Sequence, residues 1–424
     1  MSNEEFFGIV ELVMKAIAKL PDPPRERVRN EMHKIKEIVM DNRPPRILIL
    51  GRRGAGKSSL INALFKEKVA AVGSVLSETG KAEWHTFENS KGAINILDTR
   101  GLGDRTKPES ANFAEAIEDI KSEVRGTCPD AILFLCKSKE VDAHVNKDVE
   151  NVHTIRKFIS DSYGYEIPVA ALLTQVDELD PKRVEPPYEN SQKQENIHKA
   201  VRALQDAFNA SNMDLMKIIP ISAYAEYENG NRTYDNYWNV DLVIEYLMEA
   251  LPNEAQLQLA RLSTLKKAQR KFARVLVGST ATVCAGIAAT PIPLADVIPI
   301  TSAQIGMITG VAYIAGRELS KKSAGEFLAA LGINVGAGFA LREGARALIK
   351  FVFPGAGNAV SAGMAFAGTW GIGEAAIAYF INEASIEEAK RTFKKTKEEH
   401  DKKGRMANNG MHSDVDSAAL HPRR

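Results

Sequence analysis

The chain has 424 residues, 44% of them hydrophobic and 26% charged, which is more core than one ordinary domain needs and excludes global disorder. A formal net charge of +1 disfavours a general nucleic-acid binder, so no nucleic-acid partner is expected. Three cysteines (Cys128, Cys136, Cys284) without metal-type spacing and an acidic start, MSNEE, without a signal-peptide pattern lead to the expectation of a reduced, cytoplasmic chain.

Residues 1–42 read as an N-terminal helical arm broken at PDPP, residues 21–24. Phe6, Val10, Val13, Met14 and Ile17 share one helical face, and Val28, Met32, Ile35 and Val39 form a second stripe. Arg43-Pro44-Pro45 stops that helix, because proline removes a donor and restricts the residue before it.

From Arg46 the period changes. RILIL (46–50), AINIL (93–97), AILFL (131–135), VAALL (169–173) and IIPIS (218–222) are short apolar runs, as expected of strands buried on both faces. Helical stretches fall between them near 57–66, 110–124, 145–161, 192–210 and 240–250. This alternation predicts an α/β domain over residues 43–252, with a mostly parallel sheet and helices on both faces.

After Pro252 the composition shifts. Residues 253–272 read as a connecting segment, with a basic helix in RLSTLKKAQRKFAR (261–274). An all-α, Gly/Ala-rich domain is expected over 273–395. It holds the stretch 275–316, whose only charge is Asp296, and the block Phe351–Ile381, whose only charge is Glu374. Residues 396–424 read as a disordered tail.

The chemistry sits in four ordered elements of the α/β domain. The first is GRRGAGKSS: Gly51, Arg52, Arg53, Gly54, Ala55, Gly56, Lys57, Ser58 and Ser59, placed between a strand and a helix. Its glycines let backbone N–H groups approach phosphates, and the helix N-terminus adds a favourable dipole. Lys57 would reach the β- and γ-phosphates and Ser58 would ligate Mg2+. The second element is DTRG after AINIL, in which Asp98 would hold Mg2+ through water and the Gly101 amide would sense the γ-phosphate. The third is TQVD: Thr174, Gln175 and then Asp177, whose carboxylate can accept from guanine N1–H and the 2-amino group, donors that adenine lacks. The fourth is ISA, with Ser222 and Ala223, whose backbone could donate to guanine O6. The expected ligands are GTP or GDP with Mg2+, and the expected reaction is hydrolysis of GTP.

This ordered set resembles the small GTPases of the Era-like and TrmE-like branch, and GRRGAGKSSLINALF also resembles the immunity-related GTPases. Gln175 stands where the family pattern has a lysine packing under the base, and Leu102 stands where many regulatory relatives have a water-orienting glutamine. Slow intrinsic hydrolysis, stimulated by homodimerisation through the GTP-binding domain or by a partner, is therefore expected. Arg52 and Arg53 are either exposed loop side chains or a source of an arginine finger. Thr79, in SVLSETGKAEW, is the expected switch threonine and Mg2+ ligand, with Thr86 as its competitor.

ATPIPLAD (289–296) and the following IPITSAQIGMITGVAYIAG resemble the YcjF-type domain of unknown function that accompanies bacterial GTPases. Small residues recur at every fourth position: Ala281, Ala285 and Ala289; Ser302, Gly306 and Gly310; Ala359, Gly363, Ala367, Gly371 and Ala375. Such ridges allow close helix packing in a membrane or in a soluble bundle. Basic residues flank both apolar blocks, as for hairpins on an anionic membrane surface, so association with the inner face of a membrane and a soluble helical bundle both stand.

Overall fold

The computed structural model describes residues 3–70, 82–98, 109–141, 145–211, 217–263, 265–289, 297–318, 320–332 and 358–400. The chain divides into two units, Arg43–Leu265 and a second formed by Met1–Asn42 with Lys266–Arg424.

The chain opens with α1 (Asn3–Ile17) and α2 (Pro24–Val39), each amphipathic, with Pro24 in the first turn of α2, where its missing N–H costs nothing. The α/β unit follows. It runs β1 (Arg46–Gly51), α3 (Lys57–Phe65), β2 (Glu83–Asn89), β3 (Gly92–Asp98), α4 (Glu109–Gly126), β4 (Ala131–Lys137), α5 (Val145–Tyr163), β5 (Val169–Thr174), α6 (Ser191–Ala210), β6 (Lys217–Pro220), the hairpin strands β7 (Ala225–Glu228) and β8 (Asn231–Asp235), then α7 (Val240–Ala250) and α8 (Asn253–Ser263).

The main sheet has six strands in the order β2-β3-β1-β4-β5-β6. All neighbours are parallel except β2, which pairs antiparallel with β3. The central strands are buried on both faces because helices cover both, which is why RILIL and VAALL carry no polar alternation. Chain order reverses at β1: β3 lies on one side of it and β4 on the other, so the crevice for a ligand opens at the C-terminal end of β1. The N-terminal end of β1 is anchored by Asp130, which accepts two Arg43 guanidinium bonds at 2.8 Å and the Arg46 amide at 2.8 Å.

The hairpin β7–β8 interrupts the strand–helix rhythm. Asn229 and Gly230 both have positive φ, 50° and 82°, the turn geometry that Asn-Gly favours between antiparallel strands. The basic stretch 261–274 is not one helix. Buried Leu257, Leu259 and Leu262 fix α8 in the α/β unit, and Ser263 Oγ accepts the Leu265 amide, which takes the backbone out of helical pairing before Lys266.

The second unit is helical: α1 and α2, then α9 (Lys266–Ala288), α10 (Val297–Ile314), α11 (Lys321–Ala330), α12 (Asn358–Ala376), which continues as a π turn over Ile377–Ile381, and α13 (386–400). The N-terminal arm is part of this bundle. Val28 of α2 packs at Gly286 of α9, Phe6 and Ile9 of α1 pack at Gly306 of α10, and Ser279 Oγ donates to Glu31 Oε2 at 2.6 Å. Helix α9 and the segment Ala362–Ile381 are long and apolar enough to cross a membrane, yet 50% and 72% of them, respectively, are buried within the protein. Most of ATPIPLAD lies outside the described residues; of the tail expected over 396–424, residues 396–400 belong to α13 and the rest lies outside the described residues.

Helices α9 and α12 meet tightly off the expected ridge, at Gly373, where a Cβ would fall 2.4 Å from both methyls of Val277. Gly373→Ala gains about 1 kcal/mol of helix propensity but meets an overpacking cost of about 1–3 kcal/mol, and more where the neighbour cannot shift. A lower urea midpoint for Gly373→Ala, partly restored by Val277→Ala in the same chain, is the expected outcome.

Candidate nucleotide-binding site

The phosphate loop is shaped by its glycines. Gly54 and Gly56 hold φ of 74° and 89°, a region that other residues enter only with strain. Gly51 meets the neighbouring strand so closely that a Cβ would lie 2.7 Å from Leu135 O. With Gly56 as N-cap, α3 begins at Lys57, so the helix N-terminus lies at the loop. Lys57 Nζ donates to Gly51 O at 3.2 Å, laying the ammonium across the loop. Ser58 and Ser59 follow in the first turn, half-buried.

Arg52 is tied within the unit. Its Nε and Nη2 reach Asp148 on α5 at 2.8 and 3.2 Å. Arg53 is exposed on the loop.

Asp98 ends β3 in register with Ile49 of β1, at the same sheet edge as the phosphate loop. A serine hydroxyl and a carboxylate are the hard oxygen donors that Mg2+ takes, alongside phosphate oxygens and water. Among the described residues there is no cluster of three or more His, Cys, Asp or Glu that could hold another metal. Thr79, Gly101 and Leu102 lie outside the described residues. Thr86 sits in the edge strand β2, where its hydroxyl donates to Asn95 Oδ1 at 2.9 Å. Buried Asn62 binds Ala70 O and the amides of Val69 and Ala70 at 2.7–2.9 Å, so it fixes the chain where it enters the Thr79 segment.

The TQVD turn stands beside this loop and is bonded to it. Thr174 Oγ1, buried, donates to Ala55 O at 2.9 Å. Gln175, at φ 57°, donates from Nε2 to Gly54 O at 2.7 Å, and Ser138 Oγ donates to Gln175 O at 2.9 Å. Gln175 thus bridges back to the glycine-rich loop. Asp177 follows in a single 3-10 turn, Val176–Glu178, half-buried. Ser222, buried, pairs its backbone both ways with Trp238 at 3.0 and 3.2 Å, and Ala223 follows it half-buried.

Two residues that the sequence did not single out shape this edge. Lys193 of α6 is fully buried and donates to Asp177 O at 2.8 Å and to Leu179 O at 2.5 Å. Its ammonium lies 5.0 Å from the ring centroid of Tyr188, which is itself fully buried. Burial pushes Lys193 below the usual lysine range, and the carboxylates of Asp177 and Asp180 work against that shift. Burial also pushes the Tyr188 phenol up to about 12. No spacing rule marks Lys193, since a lysine on an amphipathic helix ordinarily faces solvent.

Comparison with known proteins bears on this arrangement. Residues 46–172 match the family described as 50S ribosome-binding GTPase, and residues 253–402 match a domain of unknown function, DUF697. The uncharacterized protein YfjP of Escherichia coli (strain K12) is 23% identical over 252 residues, 59% of this chain and 75% of that protein. GTPase Era of Ureaplasma parvum is 25% identical over 211 residues, 49% of this chain and 60% of that protein. Among solved structures, Toc33 from Arabidopsis thaliana in complex with GDP and Mg2+ is 19% identical, with a TM-score of 0.35 over 58% of this chain and 96% of that chain.

Thr174→Val keeps the side-chain shape but takes the hydroxyl donor from the Ala55 carbonyl. A loss of about 1–3 kcal/mol in urea unfolding of the α/β unit is expected, whereas Thr174→Ser keeps the donor and retains most of the stability.

Proposed function

We propose that this chain, a P-loop GTPase whose residues 253–402 carry a DUF697 domain, is a conformational switch that binds GTP with Mg2+ and turns it slowly into GDP and phosphate. The observation that carries this reading is the direct bonding of the TQVD turn to the phosphate loop through Thr174 and Gln175. A ligand with phosphates at one end and a base at the other is suited to touch both loops.

In this reading the backbone N–H groups of residues 54 and 56–59 and the Lys57 ammonium cradle the β- and γ-phosphates. Ser58, Asp98 and the switch threonine Thr79 would hold Mg2+, which supplies charge neutralisation on the phosphates. Asp177 accepts from the guanine N1–H and 2-amino groups, the Ala223 amide faces O6, and Gly101 reports the γ-phosphate. Arg52 keeps its partner Asp148 and takes no part in the chemistry. Without a side chain of this chain assigned to orient the attacking water, turnover is slow and rises when a second copy docks on the α/β unit.

The helical unit carries the output. Its apolar helices have basic flanks, such as Lys266, Lys267, Arg270, Lys271 and Arg274, suited to an anionic lipid surface. The N-terminal arm covers part of their apolar surface, so lipid engagement requires it to shift. Flotation of the full chain with anionic liposomes, loaded with GDP or a non-hydrolysable GTP analogue, tests this. Protein that stays at the bottom in both states points the output to a protein partner instead.

Lys57→Ala should abolish phosphate release while leaving the fold intact by circular dichroism. Asp177→Asn should weaken GTP by about 100-fold or more, from the loss of two charge-assisted bonds of about 1.5–3 kcal/mol each, and should shift preference toward xanthosine triphosphate, whose base presents a carbonyl in place of the 2-amino group. Equal affinity of the wild type for GTP and ATP would sink the reading. Turnover per molecule that is flat across protein concentration would remove the self-association step.

A further inference from the structure

The geometry points to Lys193 as the positioning residue that sets guanine specificity, acting from beneath the turn that carries Asp177. This rests on Asp177 being the guanine reader. The turn is short: a single 3-10 turn closed by the Glu178 amide to Gln175 O at 3.1 Å and the Leu179 amide to Val176 O at 3.2 Å, entered through Gln175 at φ 57°, a region that non-glycine residues visit rarely. The bonds to its remaining carbonyls come from the first turns of α6. Lys193 Nζ donates to Asp177 O and Leu179 O, and two residues on from Gln194, Asn196 Nδ2 donates to Asp180 O at 2.9 Å. Three carbonyls in four residues of the reading loop are thereby held by one helix.

The ammonium is placed with care on its other side too. Asn190 caps α6 by accepting the Lys193 amide at 3.0 Å, which sets where the side chain starts. Tyr188, itself at φ 57°, is held by Gln194 Nε2 donating to its carbonyl at 2.8 Å, and it offers its ring face to the ammonium. The same ring meets Trp238 edge-on at 5.1 Å, and Trp238 pairs its backbone with Ser222 of the ISA segment. A chain of contacts, Lys193–Tyr188–Trp238–Ser222, buried except at half-buried Trp238, thus joins the loop that reads N1 and the 2-amino group to the loop that faces O6. A fully buried ammonium is costly, and a methionine would fill the same space without that cost. Its presence marks a requirement for donors that fix two carbonyls.

The consequence is selective. Loss of Lys193 lets the Asp177 turn drift, which weakens contacts to the base edge and leaves the phosphate contacts of Lys57 alone. Inosine triphosphate, which lacks only the 2-amino group, isolates that contact. In the full-length protein, Lys193→Met should narrow the affinity ratio of GTP over inosine triphosphate by about ten-fold, the size of one weakened hydrogen bond to a charged acceptor. KM for GTP should rise while kcat at saturation stays within about two-fold of the wild type. Tyr188→Phe keeps the ring face and should keep the ratio. If Lys193→Met does not fold, Lys193→Gln, which retains a donor for one carbonyl, decides the matter by an intermediate ratio. A folded Lys193→Met or Lys193→Gln protein with the wild-type ratio overturns the role of Lys193 alone. A wild type without preference for GTP over ATP removes the guanine reading, and this inference with it.

Discussion

Two hydrogen bonds, from Thr174 Oγ1 to Ala55 O and from Gln175 Nε2 to Gly54 O, set the spacing of everything at the functional edge. They join loops 120 residues apart in sequence, at the ends of β1 and β5, strands that do not touch but both flank β4. Because the strands are parallel, their C-terminal ends lie on one edge, and the crossover helices return the chain to the other. The acceptors are carbonyls of the glycine-rich loop, whose Ala55 amide in turn donates to Arg52 O at 3.0 Å. The loop after β1 is therefore braced by the turn after β5.

Much of this could be read from the sequence because it is local. Buried parallel strands are apolar runs, and β1, β3, β4 and β5 fall where RILIL, AINIL, AILFL and VAALL predict them. The phosphate loop is contiguous, and its glycines are required by positive φ at Gly54 and Gly56. The hairpin β7–β8 was legible in principle from Asn229-Gly230, but its strands AEYE and NRTYD are polar and exposed, so no apolar alternation drew attention to them. Lys193 was not legible at all. Its burial is created by Tyr188, Trp238 and the Asp177 turn meeting in space, and nothing in SQKQENIHK distinguishes this lysine from a solvated one.

The helical unit shows the limit of composition as a guide. Glycine and alanine ridges permit backbones to approach, and they do so equally well in lipid and in a dry protein interior. What fills the grooves decides between the two. Here Val28, Phe6 and Ile9 of the N-terminal arm enter at Gly286 and Gly306, and Val277 enters at Gly373, between the ridge positions Gly371 and Ala375. Gly363, which is on that ridge, has no neighbour within 4 Å of where its Cβ would be. Small residues thus mark where packing is allowed. The partner side chain, contributed from the far end of the chain, marks where it happens.

The arginine at the second position of the phosphate loop follows the same logic of partners over patterns. From sequence, Arg52 is a mobile cation beside phosphates. In the structure its guanidinium forms a forked pair with Asp148, whose carboxylate is 7% exposed. Breaking a buried ion pair by removing one partner costs about 3–5 kcal/mol, so truncation of Arg52 is expected to destabilise the α/β unit. The pair therefore fixes the loop to α5.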